Sequence, residues 1–190
     1  MQLTQKERTL LEDQKEMEEV CIEKYTKYAQ QTQCPQLKQL FTTLASQEQN
    51  HLNTVNQFLQ GGQPSMSQGS QQQQGTMQQN MASTMQQQSP GQQGGGSQSG
   101  GQSQSAGGQS TGGMSAGGQS TGGGYNKNDK YMCSDLLATE KFVSGTYDIA
   151  VFESVNPAVR QALQHIQKEE QQHGEQIFQY MQSNGMYQVQ

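Results

Sequence analysis

Apolar residues recur at spacings of three and four in two stretches, roughly 3–59 and 131–187, the period of helices that bury one face. In the first stretch the stripe runs Leu11, Gln14, Glu18, Cys21, Tyr25 and Tyr28. Thr4-x-x-Glu7 ahead of it has the form of a capping box, in which side chains satisfy the free amides of a helix start. A bend is predicted at Gln33-Cys34-Pro35. A second helix then carries Leu37, Phe41, Leu44, Glu48, His51, Val55 and Phe58, and stops near Gly61. In the other stretch a third helix carries Met132, Leu136, Glu140, Val143, Tyr147 and Val151. Asn156-Pro157 offers an N-cap followed by a proline at the first helical position. The fourth helix carries Val159, Leu163, Ile166, Glu170, His173, Ile177 and Tyr180, and ends near Gly185.

The two stretches repeat each other. A shift of 122 positions carries Glu18 onto Glu140, Tyr25 onto Tyr147, Pro35 onto Pro157, Glu48 onto Glu170 and His51 onto His173, without a gap. A duplicated helical hairpin has a four-helix bundle as its natural product. The expected fold is therefore all-α, a bundle made of a first hairpin over 1–60 and a second over 127–190. Between them lies a predicted disordered linker over 61–126.

Composition supports that division. Only 29% of the 190 residues are hydrophobic and 14% are charged, too few apolar groups to bury a core along the whole chain. Residues 61–124 hold no charged residue, and a ten-residue unit there repeats almost unchanged, SAGGQSTGGM from Ser105 and SAGGQSTGGG from Ser115. Gly- and Ser-rich chains behave as random coils, so such an insert reaches from one end of a bundle to the other without strain. Its glutamine-rich part, Gln71 to Gln88, reads either as a passive tether or as a self-associating segment. A linker this long also permits hairpins to exchange between chains.

The net charge of -5 and the absence of a Lys/Arg cluster argue against a nucleic-acid partner. Apolar runs are far too short for a membrane span, and Met1 to Lys6 lacks the apolar run of a secretory signal. Synthesis in a cytoplasm is expected. Cys21, Cys34 and Cys133 lack a framework spacing and read as reduced thiols, two of them buried as small hydrophobes, with intermolecular oxidation in a later, harsher compartment as the alternative.

Each apolar stripe is interrupted by acid at one level: Glu18, Glu48, Glu140 and Glu170, with His51 and His173 beside them. A buried carboxylate without compensation is expensive, so these groups need a shared counter-charge. Glu18 and Glu48 lie symmetrically about the bend near residue 33, and Glu140 and Glu170 about residue 155, so each antiparallel hairpin sets its pair level. Each histidine follows its glutamate by three positions and so shares its helical face. One Glu from each of two helices, with Glu-x-x-His from the other two, is the ligand set of a dinuclear carboxylate site, and carboxylate and imidazole donors suit iron or manganese. A lone Glu-x-x-His is weak; here two of three histidines carry it in matching registers. The alternative is an inherited set whose members satisfy each other and bind no metal. Tyr25 and Tyr147, two turns from Glu18 and Glu140, read either as hydrogen-bond partners of that set or as core packing. Glu12, Glu16, Glu19 and Glu23 form a solvated stripe, and His165 and Glu169 fall off the core seam.

The segments Asp135 to Asp148 (DLLATEKFVSGTYD), Asn156-Pro157 and Gln167 to Gly174 (QKEEQQHG) closely resemble the spore coat F (CotF-like) family of spore-forming Firmicutes, part of the ferritin-like group. The first hairpin looks like a shorter, divergent companion. The resemblance implies a protein made in the mother-cell cytoplasm and deposited in the spore coat, with other coat proteins or further copies of itself as partners. It implies ferritin-like ligands at Glu18, Glu48, His51, Glu140, Glu170 and His173. Two functions follow: a structural and assembly protein of the coat, or a dinuclear iron or manganese oxidoreductase acting on ferrous iron or peroxide.

Overall fold

The computed structural model, which describes residues 2–64 and 125–188, uses the three helix starts expected from the sequence and adds a fourth at Asn126. Helix α1 (Gln5–Gln31) begins at the Thr4–Glu7 capping box. Helix α2 (Pro35–Leu59) begins with Pro35 in its first turn, where a missing N–H costs nothing. Helix α3 (Lys127–Glu153) is capped by Asn126, which accepts from the Asn128 amide. Helix α4 (Pro157–Ser183) is capped by Asn156, which accepts from the amides of Ala158 and Val159. Gly61 and Gly185 follow α2 and α4 with φ of 81° and 69°, the left-handed conformation that glycine adopts without penalty.

The helices pair as two hairpins, α1 with α2 and α3 with α4, and the hairpins pack together through α1 against α3 and α2 against α4. All the apolar positions expected of α2, α3 and α4 are buried. In α1 the last seam position is Ala29; Tyr28 sits at the edge, its hydroxyl donating to Asp135 Oδ2 at 2.8 Å. Cys21 and Cys133 are buried and Cys34 half-buried, all three as free thiols. Of the insert expected over 61–126, residues 65–124, on which the expected disorder chiefly falls, lie outside those described. None of the described helices is long and apolar enough to cross a membrane.

Polar contacts lock the antiparallel register of α1 and α3. Glu7 Oε1 accepts from the amides of Val155 and Asn156, at 2.9 and 2.7 Å, while Oε2 holds Thr4. Burial pushes this carboxyl up, but the amides of Asn156, Thr4 and Val155 outweigh it and hold it below its ordinary range. The position equivalent to Glu7 in the second half is Asp129, and it accepts from Thr32 Oγ1 at 2.8 Å in the α1–α2 turn. Each hairpin's first turn thus clasps the bend of the other.

Candidate metal centre

The register that aligns the two hairpins brings the interrupting acids to one level. Glu18, Glu48, His51, Glu140, Glu170 and His173 are all buried in the bundle interior. They form two overlapping groups whose ligand atoms lie within 4.8 Å of one another: Glu18, Glu48, His51 and Glu170, and Glu48, Glu140, Glu170 and His173. Glu48 and Glu170 belong to both, so they sit between two positions, each completed by one outer glutamate and one histidine.

Both histidines point Nδ1 into the cluster. His51 Nδ1 donates to Glu170 Oε1 at 2.8 Å and lies 3.3 Å from Glu48 Oε2 and 3.7 Å from Glu18 Oε2. His173 Nδ1 donates to Glu48 Oε1 at 2.9 Å and lies 3.5 Å from Glu170 Oε2 and 3.9 Å from Glu140 Oε2. The rings face each other at 5.4 Å with planes 15° apart. Each histidine therefore bridges to the glutamate of the other hairpin.

Electrostatics divide the carboxylates into two kinds. Burial pushes Glu18 up to about 8 against the pull of His51. Burial, reinforced by the charges of Glu48 and Glu170, raises Glu140 well above its ordinary value. For Glu48 burial acts upward too, but the His173 charge wins and the carboxyl stays low. Glu170 is likewise held low by His173 and His51. The imidazoles move the other way. Burial disfavours their charge, yet Glu48 and Glu170 raise His173 to about 10, and Glu169, Glu170, Glu18 and Glu48 raise His51 well above 6.5. Glu18 and Glu140 are thus pushed toward the protonated form, Glu48 and Glu170 toward the ionised form, and both histidines toward the cation.

Satisfaction is nevertheless incomplete. Oε2 of Glu18, Glu48, Glu140 and Glu170 and Nε2 of His173 are buried with no hydrogen-bond partner. Native interiors rarely leave such groups unpaired, and the four carboxylate oxygens, unlike Nε2 on the far side of the His173 ring, belong to the level where a cation would be held. Four carboxylates balance the charge of two divalent ions, which would give the bare oxygens a partner. The residues fit a dinuclear centre in donor type and in charge.

Three further side chains hold the set. Tyr25 hydroxyl donates to Glu140 Oε1 and Tyr147 hydroxyl to Glu18 Oε1, both within fully buried surroundings. Both expected tyrosines are therefore hydrogen-bonded to the cluster, each crossing to the other hairpin's glutamate. Glu169, expected to fall off the seam, instead accepts from His51 Nε2 at 3.0 Å and lies 3.5 Å from His165 Nε2. A one-residue offset from Glu170 turns its Cα away from the core, and its flexible stem brings the carboxylate back over the ring. The available signal was its i, i+4 spacing to His165.

Residues 128–190 match the family model described as Coat F domain, and residues 10–87 match the one described as Rubrerythrin. The chain is a Coat F-like, ferritin-like protein. Between them the two matches reach all four helices, so each half of the Coat F-like bundle is accounted for separately. Comparison with curated proteins and with solved structures found no match.

Proposed function

We propose that the protein is a structural and assembly component of the bacterial endospore coat. In this reading its bundle holds a dinuclear iron or manganese centre on Glu18, Glu48, His51, Glu140, Glu170 and His173. The observation that carries the metal centre is the row of four buried carboxylate oxygens without partners, arranged as two groups that share Glu48 and Glu170. The coat assignment rests on the Coat F match over the second hairpin. Synthesis in the mother-cell cytoplasm and partners among other coat proteins, or further copies of the chain, belong to the same reading.

A second reading, a dinuclear iron or manganese oxidoreductase of the ferroxidase, peroxidase or catalase kind, is favoured by the Rubrerythrin match and by the hydrogen-bonded tyrosines. Bound metal would supply the redox and Lewis-acid chemistry. The chain's own part is to hold the ligands: Tyr25 and Tyr147 orient the outer carboxylates, and Glu169 orients the His51 ring through Nε2. The two readings are compatible, since a coat protein is well placed to consume oxidants.

Elemental analysis of protein purified without chelator tests the metal centre. About two iron or manganese ions per chain are expected, and none in the Glu48→Ala/Glu170→Ala variant, which loses the ligands common to both positions. A wild-type chain that stays metal-free when offered both ions would sink the proposal.

A further inference from the structure

The hairpins repeat each other along their buried faces but diverge on the outside. On α3, Tyr131, Ala138, Phe142, Gly145, Ile149 and Phe152 follow at spacings of seven, four, three, four and three, which align them in one stripe. The stripe faces water: Phe142 is 62%, Ile149 57% and Phe152 80% exposed. Their counterparts on α1, 122 positions earlier, are Thr9, Glu16, Val20, Glu23, Lys27 and Gln30, an ordinary solvated face. Both faces lie on the far side of their helices from the Glu/His cluster, so the cluster does not explain the apolar one.

Gly145 sharpens the contrast. It lies in the interior of α3, where glycine destabilises a helix relative to alanine. A Cβ built there would meet nothing within 4 Å, so packing among the described residues gives no reason for the missing side chain. A glycine at the middle of an exposed apolar stripe admits the close approach of something outside.

We propose that this something is a second copy of the chain, docked α3 against α3 in an antiparallel crossing centred near Gly145. The charges beside the stripe select that occupant and that direction. Lys141 and Asp148 are exposed, stand two turns apart on the same flank of the stripe, and straddle Gly145. A two-fold axis perpendicular to an antiparallel pair keeps each flank on its own side and reverses the order along it. Lys141 of each copy then faces Asp148 of the other, twice, while Phe142 of each meets the neighbourhood of Ile149 of the other. A parallel pair would put the two flanks on opposite sides and form neither ion pair. The surface is self-complementary in the way an isologous dimer requires. Its span from Tyr131 to Phe152 is roughly 30 Å at the helical rise, enough for a continuous helix–helix seam.

The test is the mass of the full chain by sedimentation velocity, with helix content followed by circular dichroism. The wild type is expected to sediment as a dimer. Phe142→Asp and Ile149→Asp should each raise the dissociation constant more than about tenfold, as loss of a central contact does, with helix content unchanged. Lys141→Glu or Asp148→Lys alone should weaken the dimer, and the double charge reversal should recover it, which a merely misfolded variant would not do. A monomeric wild type overturns the proposal. So does a dimer indifferent to Phe142→Asp and to the single reversals, because the association would then belong to another surface such as the Gln-rich insert. Metal content does not enter this measurement, so failure of the metal reading leaves it standing.

Discussion

His51 and His173 occupy equivalent places in a duplicated hairpin, and only one of them is held from behind. Both donate from Nδ1 to the glutamate of the opposite hairpin, at 2.8 and 2.9 Å. Behind His51, Nε2 meets the carboxylate of Glu169 at 3.0 Å. Behind His173, Nε2 is buried with no partner, and the residue equivalent to Glu169 is Gln47, whose Oε1 is also buried and unpartnered. The six inner residues repeat between the hairpins, whereas Glu169 and Gln47 behind the rings do not. A carboxylate on the far nitrogen sets the tautomer of a ligating imidazole and raises its basicity, and losing such a partner costs about 10–100-fold in metal affinity. The two corners would therefore differ as ligands of a metal even though their motifs match.

What the corners share produces the largest expected effect, a dependence of stability on pH. Glu18 rises from 4.5 to about 8 on folding, and His173 from 6.5 to about 10. A raised value means that the folded chain keeps a proton the unfolded chain has lost, so the associated stability is complete at low pH and drains away as pH rises. Between pH 6.5 and 8 both groups contribute, each at about 1.4 kcal/mol per pH unit in the limit of full protonation difference. Chelator-treated protein should accordingly melt at progressively lower temperature from pH 6.5 to pH 8. Added manganese must displace those protons, so its stabilising shift should grow over the same interval. Thermal melts at constant ionic strength, with and without metal, check both directions. A melting temperature of the stripped protein that climbs with pH would contradict the charge assignment.

Exchanging the outer residues gives the next effect and addresses the comparison itself. Calorimetric titration of manganese into stripped protein should show a tighter and a weaker step in the wild type. Glu169→Gln should weaken the tighter step by roughly 10–100-fold and bring the two together. Gln47→Glu should tighten the weaker step, and the two substitutions combined should restore unequal steps with the corners interchanged. Steps that remain unequal after Glu169→Gln would place the asymmetry elsewhere.

Much of this was legible in the sequence because helices advertise a buried face at a period of 3.6, and because a duplication tests each assignment twice. The four helices, the starts at Thr4, Pro35 and Asn156, and the shared level of Glu18, Glu48, His51, Glu140, Glu170 and His173 are readable from spacing and turn motifs, whereas the Asn126 cap of α3 is not. What spacing does not give is which helix stands beside which. Tyr25 lies two turns from Glu18 on its own helix, but the antiparallel register of α1 and α3 sets its hydroxyl on Glu140 instead. Period assigns a Cα to a face and so puts Glu169 off the seam, whereas a glutamate stem spans from one face to the next. The apolar stripe of α3 went unread because its spacing is as helical as that of the core stripe, and the duplicate on α1 carries no such face. The insert's behaviour lies outside the described residues, and its reading still rests on composition.

Crystals grown with manganese, with diffraction recorded above and below the metal edge, test the central claim most directly. Two anomalous peaks are expected inside the bundle, both against Glu48 and Glu170, one beside Glu18 and His51 and the other beside Glu140 and His173. A bundle with no anomalous density at that level, while the same crystals bind manganese at surface carboxylates, would contradict it.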